Sequence, residues 1–335
     1  MRAPIADDGN FISIVERSID PGEVGTLFFF QQFKRLLPPR VFKRLLERTS
    51  RRTPRMGFVI DPYSLFLFFP LKDLDAARAM LPSRYELCKA GVFEGDEQEF
   101  FLGMGVFNAR ASTFWGTRHE SYLVARDTKT GLLSWIFIDI LSDTLIAVPT
   151  KGVADPNTER AVFTINAKGV IHLDIAERGT GRRLKLKCDI NGGTVRKPDQ
   201  MLWIMGNTSI AHCTRIAGDR EDPFAVIFDP AEVESGIDIP PGFVSIEENT
   251  LFPGLAEDRL IKAACFPYAQ HYVADSPGRR TPVKDPDDMV AEYARIATLP
   301  SIETFSARGI ERVFLVLTAL FPVLSLLLLV LLLST

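Results

Sequence analysis

The strongest constraint on this chain is its C-terminal end. From Val313 to Leu333 it reads VFLVLTALFPVLSLLLLVLLL, 21 residues without a charge. A helix of that length spans roughly 31 Å, close to the hydrocarbon thickness of a bilayer. Pro322 is its one helix-disrupting residue, and membrane helices tolerate proline where neighbouring groups take up the freed carbonyl. The sequence therefore predicts a transmembrane helix at 313–333, a single-pass tail anchor. A buried core helix and a lipid-attachment signal are the alternatives. The first is unusual at this length and leucine density, and the second needs a secretory leader that the acidic N-terminal stretch does not provide. Arg308 and Arg312 precede the span and only Ser334 and Thr335 follow it. Positive charge stays inside, so the N-terminal domain is expected on the cytoplasmic side, with 301–312 as the juxtamembrane link.

Charge is unevenly placed in the remaining 300 or so residues. Between Thr26 and Arg55 nine basic residues face one acid, Glu47, so this stretch carries +8 against −3 for the whole chain. Residues 1–25 read as irregular. In 26–55, Pro39 opens a short helix with Val41, Phe42, Leu45 and Leu46 on one face and Arg40, Lys43, Arg44 and Arg48 on the other. Two readings compete: contact with anionic lipid through the basic face, or packing of the apolar face on the main domain. Nucleic acid is not an expected partner. Cys88, Cys188, Cys213 and Cys265 form no CxxC pair and read as small buried apolar residues.

The main domain, 56–300, reads as mostly strand. Ile171, Leu173 and Ile175 alternate with His172 and Asp174, then the turn residues Gly179, Thr180 and Gly181 follow. Leu184, Leu186 and Cys188 then alternate with Lys185 and Lys187. This is a hairpin with one apolar face, and His172 and Asp174 are expected opposite Lys185 and Lys187. From Leu132 to Pro149 apolar residues fill both alternation classes, so these strands are expected to be covered on both faces. Asp139 and Asp143 interrupt the run. A buried carboxylate is costly unless paired, which makes both candidate pocket residues; a strand-end position is the plainer alternative. Helices are few: Leu74–Leu81, and Pro286 to about Thr298 capped by Asp285. The expected fold is mainly β, a large antiparallel barrel or sandwich, with the C-terminal membrane helix appended.

Phosphate-loop, dinucleotide, GxSxG and HExxH patterns are absent, and the four histidines lack metal-ligand spacing. No cofactor and no metal are expected. What remains is an ordered series: SLFLFF, then LDAARAMLPSRYEL, then WGTRHESYLVA, then a long apolar stretch ending VPTKGVA. This order resembles the acetoacetate decarboxylase-like proteins, whose antiparallel barrel holds a small-molecule site. The resemblance implies that Leu81–Leu87 matches the family's LPxxL-like turn, and that Glu120 with Tyr122 matches an acid near a tyrosine at a strand start. With Pro149 set on the family proline, Ser142, Asp143 and Thr144 fall where the family has Gly-Arg-Glu, and Ala147 replaces a glycine. Thr150 falls at the Schiff-base lysine and Lys151 at the second lysine of the pair. A hydroxyl forms no Schiff base, so acetoacetate decarboxylation is not expected. Lys151 and Glu120 are the candidate catalytic groups, and Thr150, Asp139, Asp143, Trp135 and Phe137 the candidate pocket. The function implied is binding, with transformation open, of a small organic acid or lipid-like molecule at the cytoplasmic membrane face. The alternative is a catalytically silent scaffold or ligand carrier.

Overall fold

A strand whose two alternation classes are both apolar has to be covered twice, and the longest strands of this chain show it. In the computed structural model, β4 (Phe101–Ala111) sends Leu102, Met104 and Val106 into one core and Phe101 and Phe107 into another. The structure describes residues 9–22, 55–111, 115–144, 146–148, 152–154, 156–217, 223–275, 283–302 and 308–333. Before β4 come β1 (Arg55–Ile60), β2 (Ser64–Pro70) and β3 (Tyr85–Leu87); after it come β5 (Trp115–Asp127) and β6 (Leu133–Ser142). Then follow β7 (Ile146–Val148), β8 (Gly152–Ala154), β9 (Thr158–Ile165), β10 (Val170–Glu177), β11 (Arg183–Asp189) and β12 (Thr194–Arg196). The last are β13 (Ala211–His212), β14 (Val226–Ile227), β15 (Gly236–Ile239), β16 (Val244–Asn249), β17 (Lys262–Phe266) and β18 (Gln270–Asp275).

Twelve strands form one sheet in the order β12-β15-β17-β2-β4-β1-β18-β14, with β5, β6, β3 and β13 continuing from the other edge of β4. β2 and β1 lie end to end on one edge of β4: Leu65–Pro70 pair with Val106–Phe101, and Phe58–Ile60 with Ala111–Ala109. The sheet therefore forks instead of running round, and among the described residues it stays open. That corrects the expectation of a closed barrel. A second sheet, β16-β11-β10-β9, covers one face. Its Ile171, Leu173, Ile175, Leu184 and Leu186 pack on Leu65, Leu67, Leu102, Leu123 and Ile136. The β10–β11 register sets His172 opposite Lys187 and Asp174 opposite Lys185, as the alternation predicts. The ion pairs run sideways, however: Lys185 and Lys187 hold Glu247, and Asp174 holds Arg160 and Arg183.

The other face is covered by helices. Phe11, Ile14 and Val15 of α1 (Gly9–Ser18) and Met289 and Ile296 of α3 (Pro286–Ala297) join Phe68, Phe101 and Trp135 in this core. α2 (Leu74–Met80) begins at Asp73, whose side chain accepts from Ala76 N. α3 begins at Asp285, which accepts from Asp288 N at 2.9 Å. Both caps supply an acceptor for an otherwise unpaired helix-start N–H. The helix at 9–18 replaces the irregular N-terminus expected from sequence; its three core-facing residues are too short a periodic run to stand out. Cys188, Cys213 and Cys265 are buried and Cys88 half-buried, all as free thiols. Burial pushes the Cys88 thiol up to about 11 and Cys188 to about 12.

The tail expectation is corrected. The chain forms a final helix, α4 (Arg308–Leu333), with Pro322 inside it. Among the described residues, however, no helix is long and apolar enough to cross a membrane. The single-pass C-terminal anchor at 313–333, the membrane localisation and the cytoplasmic placement of the N-terminal domain are therefore not supported. The basic helix expected within 26–55, with its anionic-lipid contact, lies outside the described residues apart from Arg55, the first residue of β1.

Candidate functional site

Alternate residues of a strand share a face, so Arg118, Glu120, Tyr122 and Val124 line one side of β5. Tyr122 and Val124 belong to the helix-covered core. Glu120 is buried, with its side chain 7% exposed, and Arg118 beside it is 12% exposed. Arg118 Nε pairs with Glu120 Oε1, and the Tyr122 hydroxyl donates to Glu120 Oε2. Burial, and then the charge and hydrogen bond of Glu120, hold the Tyr122 phenol well above its usual range. It stays protonated as a donor. Desolvating a guanidinium and a carboxylate costs several kcal/mol per ion unless they are well paired, and here each carboxylate oxygen has a partner.

The neighbouring strands shape the surroundings. Gly105 and Gly103 of β4 stand opposite Glu120 and Tyr122. A Cβ on Gly105 would lie 2.7 Å from the Phe66 ring, so the glycine lets that aromatic lie flat on the strand. On β6, Phe137 faces Tyr122 with ring centroids 4.8 Å apart, and Trp135 lies 5.1 Å from the same ring. The wall continues through a π-helical turn, Met201–Met205, in which Gly206 N–H reaches back to Met201 O. Its Trp203 donates Nε1–H to Val92 O at 2.8 Å and packs edge-on to Phe66 and Phe266, each at 4.9 Å. Gly206 ends this turn so closely over Trp135 that a Cβ would come within 2.7 Å of its Nε1. Single π turns recur at functional sites because they re-aim side chains. On the far side of Phe137, buried His212 of β13 stacks at 5.3 Å.

Of the residues named from sequence, Glu120, Trp135 and Phe137 come together here. Asp139 does not. It pairs with Ser121, and the register slips by one between Ser121 and Tyr122, which moves Asp139 to the opposite face from Glu120. There it holds Arg182 at 2.8 Å and lies 3.7 Å from Arg215. His119 shares this face, with Nε2 2.8 Å from Ser121 Oγ; burial first, and Arg182 with it, pushes the imidazole down to about 4, against the pull of Asp139. Asp143 is exposed just beyond β6 and accepts from Thr117 N at 2.9 Å. Thr150 and Lys151 lie outside the described residues; the flanking β7 and β8 pair only with each other, apart from the main sheet. Sequence reasoning missed Arg118, Trp203, His212 and Gly206. Arg118 had a signal, its two-residue spacing from Glu120 and Tyr122 on one strand. The others reach the site through distant segments and had none.

Chemically, the arrangement offers a carboxylate, a guanidinium and a phenol at the edge of an aromatic wall. Among the described residues no lysine is buried, and no three His, Cys, Asp or Glu could hold a metal ion. No family model and no curated protein sequence matches the chain. Among solved structures it is similar to acetoacetate decarboxylase from Legionella pneumophila, with a TM-score of 0.41 and 9% identity over 68% of this chain and 86% of that one. This distant likeness concerns the fold and carries nothing about activity; the family is the one the sequence resembles.

Proposed function

We propose that the domain binds a small organic acid with an apolar body in the helix-covered core, at Arg118, Glu120 and Tyr122. The observation that carries the reading is the placement of three polar groups at the foot of an aromatic wall built from Phe66, Trp135, Phe137 and Trp203. Binding sites for small molecules combine a mostly apolar lining with a few convergent polar groups. A ligand carboxylate can take Arg118 in place of Glu120, while Tyr122 keeps a donor for either acid. Schiff-base chemistry is not part of this proposal, because the resemblance sets Thr150, a hydroxyl, at the family's lysine position. The second reading is a silent scaffold, favoured by the closure of the triad on itself: both oxygens of Glu120 already have partners.

A panel of small keto, hydroxy and fatty acids, read by thermal shift and by tryptophan emission, separates the two. Trp135 and Trp203 stand in the wall, so a bound acid should raise the melting temperature and change emission in the wild type but not in Arg118→Met. No response to any acid favours the scaffold. Acetoacetate should release no carbon dioxide; release abolished by Lys151→Ala but not by Lys168→Ala would overturn the non-Schiff-base reading.

A further inference from the structure

Away from the triad, one buried histidine sits between two carboxylates that belong to different parts of the fold. His271 of β18 is 10% exposed at its side chain. Its Nε2 lies 3.3 Å from Glu16 Oε1 on α1, and its Nδ1 lies 3.5 Å from Glu232 Oε1 in the turn Pro230–Val233. The His271 backbone N–H also donates to Glu232, at 2.9 Å to Oε2. Arg110 of β4 reaches Glu16 at 3.7 Å and Asp61 at 3.0 Å. Tyr268 donates its hydroxyl to Glu232 O at 2.8 Å. Among the described residues, these are the charged and titratable groups that face the imidazole from α1, β4, β18 and the neighbouring turns.

We propose that this cluster is a proton-operated clasp on α1, closed when His271 carries its second proton and bridges Glu16 to Glu232. A neutral imidazole donates from one nitrogen only, so it holds one carboxylate and leaves the other facing a lone pair. Geometry makes α1 sensitive to that difference. At ten residues the helix is too short to persist alone. It is held by Phe11, Ile14 and Val15 and seats Ser18 on Gly57, where a Cβ would lie 2.0 Å from Ser18 Oγ. The burial of three apolar side chains and the ordering of ten backbone residues oppose one another at the same order of size, which lets the ionic contacts set the margin. Burial alone would push the His271 imidazole down, but Glu232 and then Glu16 outweigh it and the imidazole is held above its usual range. The sign follows: the clasp is fully made below the ordinary histidine pKa of about 6.5 and is lost as pH rises through the elevated value. Burial also raises Glu232, so protonation of that carboxylate opens the clasp again in acid. Phe11 and Ile12 form one wall of a cleft of about 250 Å3, with Asp229, Glu232, Tyr268 and Tyr293 on the others. Release of α1 removes that wall.

The test is hydrogen exchange of the 9–18 amides in the full chain, corrected for intrinsic rates, from about pH 6 to about pH 9. Protection of α1 in the wild type should fall several-fold over this range while the β4 and β5 amides hold theirs. His271→Gln and Glu16→Gln should show the weaker protection throughout, without the pH step. Phe11→Ala should lower protection at every pH and keep the step, which separates the clasp from apolar seating. A pH-independent α1 in the wild type, or a step retained in His271→Gln, overturns the proposal.

Discussion

Removal of the Arg118 guanidinium is the perturbation the candidate site resists least. With side chains 12% and 7% exposed, Arg118 and Glu120 are out of water. Breaking a buried pair by deleting one partner costs about 3–5 kcal/mol, because the other charge is left uncompensated. Arg118→Met should cost that much, a large part of a typical domain stability of about 5–15 kcal/mol. Adding Glu120→Leu removes the stranded charge. The Tyr122 hydroxyl is then orphaned, so the double variant should lie about 1–3 kcal/mol below wild type. Adding Tyr122→Phe removes the last unpaired group, and the triple variant should return to near wild-type stability. The three variants thus become more stable as more polar groups are lost. Urea denaturation with midpoints compared at constant slope measures this. The reasoning is refuted if Arg118→Met costs less than about 1 kcal/mol, or if the triple variant is no more stable than the single one.

Two further outcomes follow from packing and charge. Gly206→Ala should cost about 1–3 kcal/mol by overpacking against Trp135, seen as a lower melting temperature with altered tryptophan emission. Asp174 is held below the usual carboxylate range, first by its hydrogen bonds from Arg183 and then by Arg160. A depressed carboxyl stabilises above its unfolded pKa of about 3.9 and loses that contribution as pH falls through the folded value. Asp174→Asn should therefore be about 1–2 kcal/mol less stable at neutral pH, and its urea midpoints should converge with wild type in acid.

Features that depend on near neighbours were legible in the order of residues. Strict alternation fixed which faces of β10 and β11 meet, because a slip of one would turn Ile171, Leu173 and Ile175 out to solvent. The Asp285 cap and the doubly apolar run at β6 were readable for the same local reason. Glu120 was named through the family resemblance, and Trp135 and Phe137 as large aromatics within an apolar strand run. Which of them meet depends on how distant strands pair. A one-residue register slip beside Tyr122 leaves Phe137 facing Glu120's side and sends Asp139 to the other, a parity that no count along one strand contains. Trp203 and His212 enter the wall from segments 60 or more residues away in the chain. The fork that keeps the sheet open depends on β1 and β2 sharing one edge of β4. Such pairings are chosen by backbone hydrogen bonds between distant strands, and those bonds are blind to side-chain identity, so they leave little trace in the order of residues.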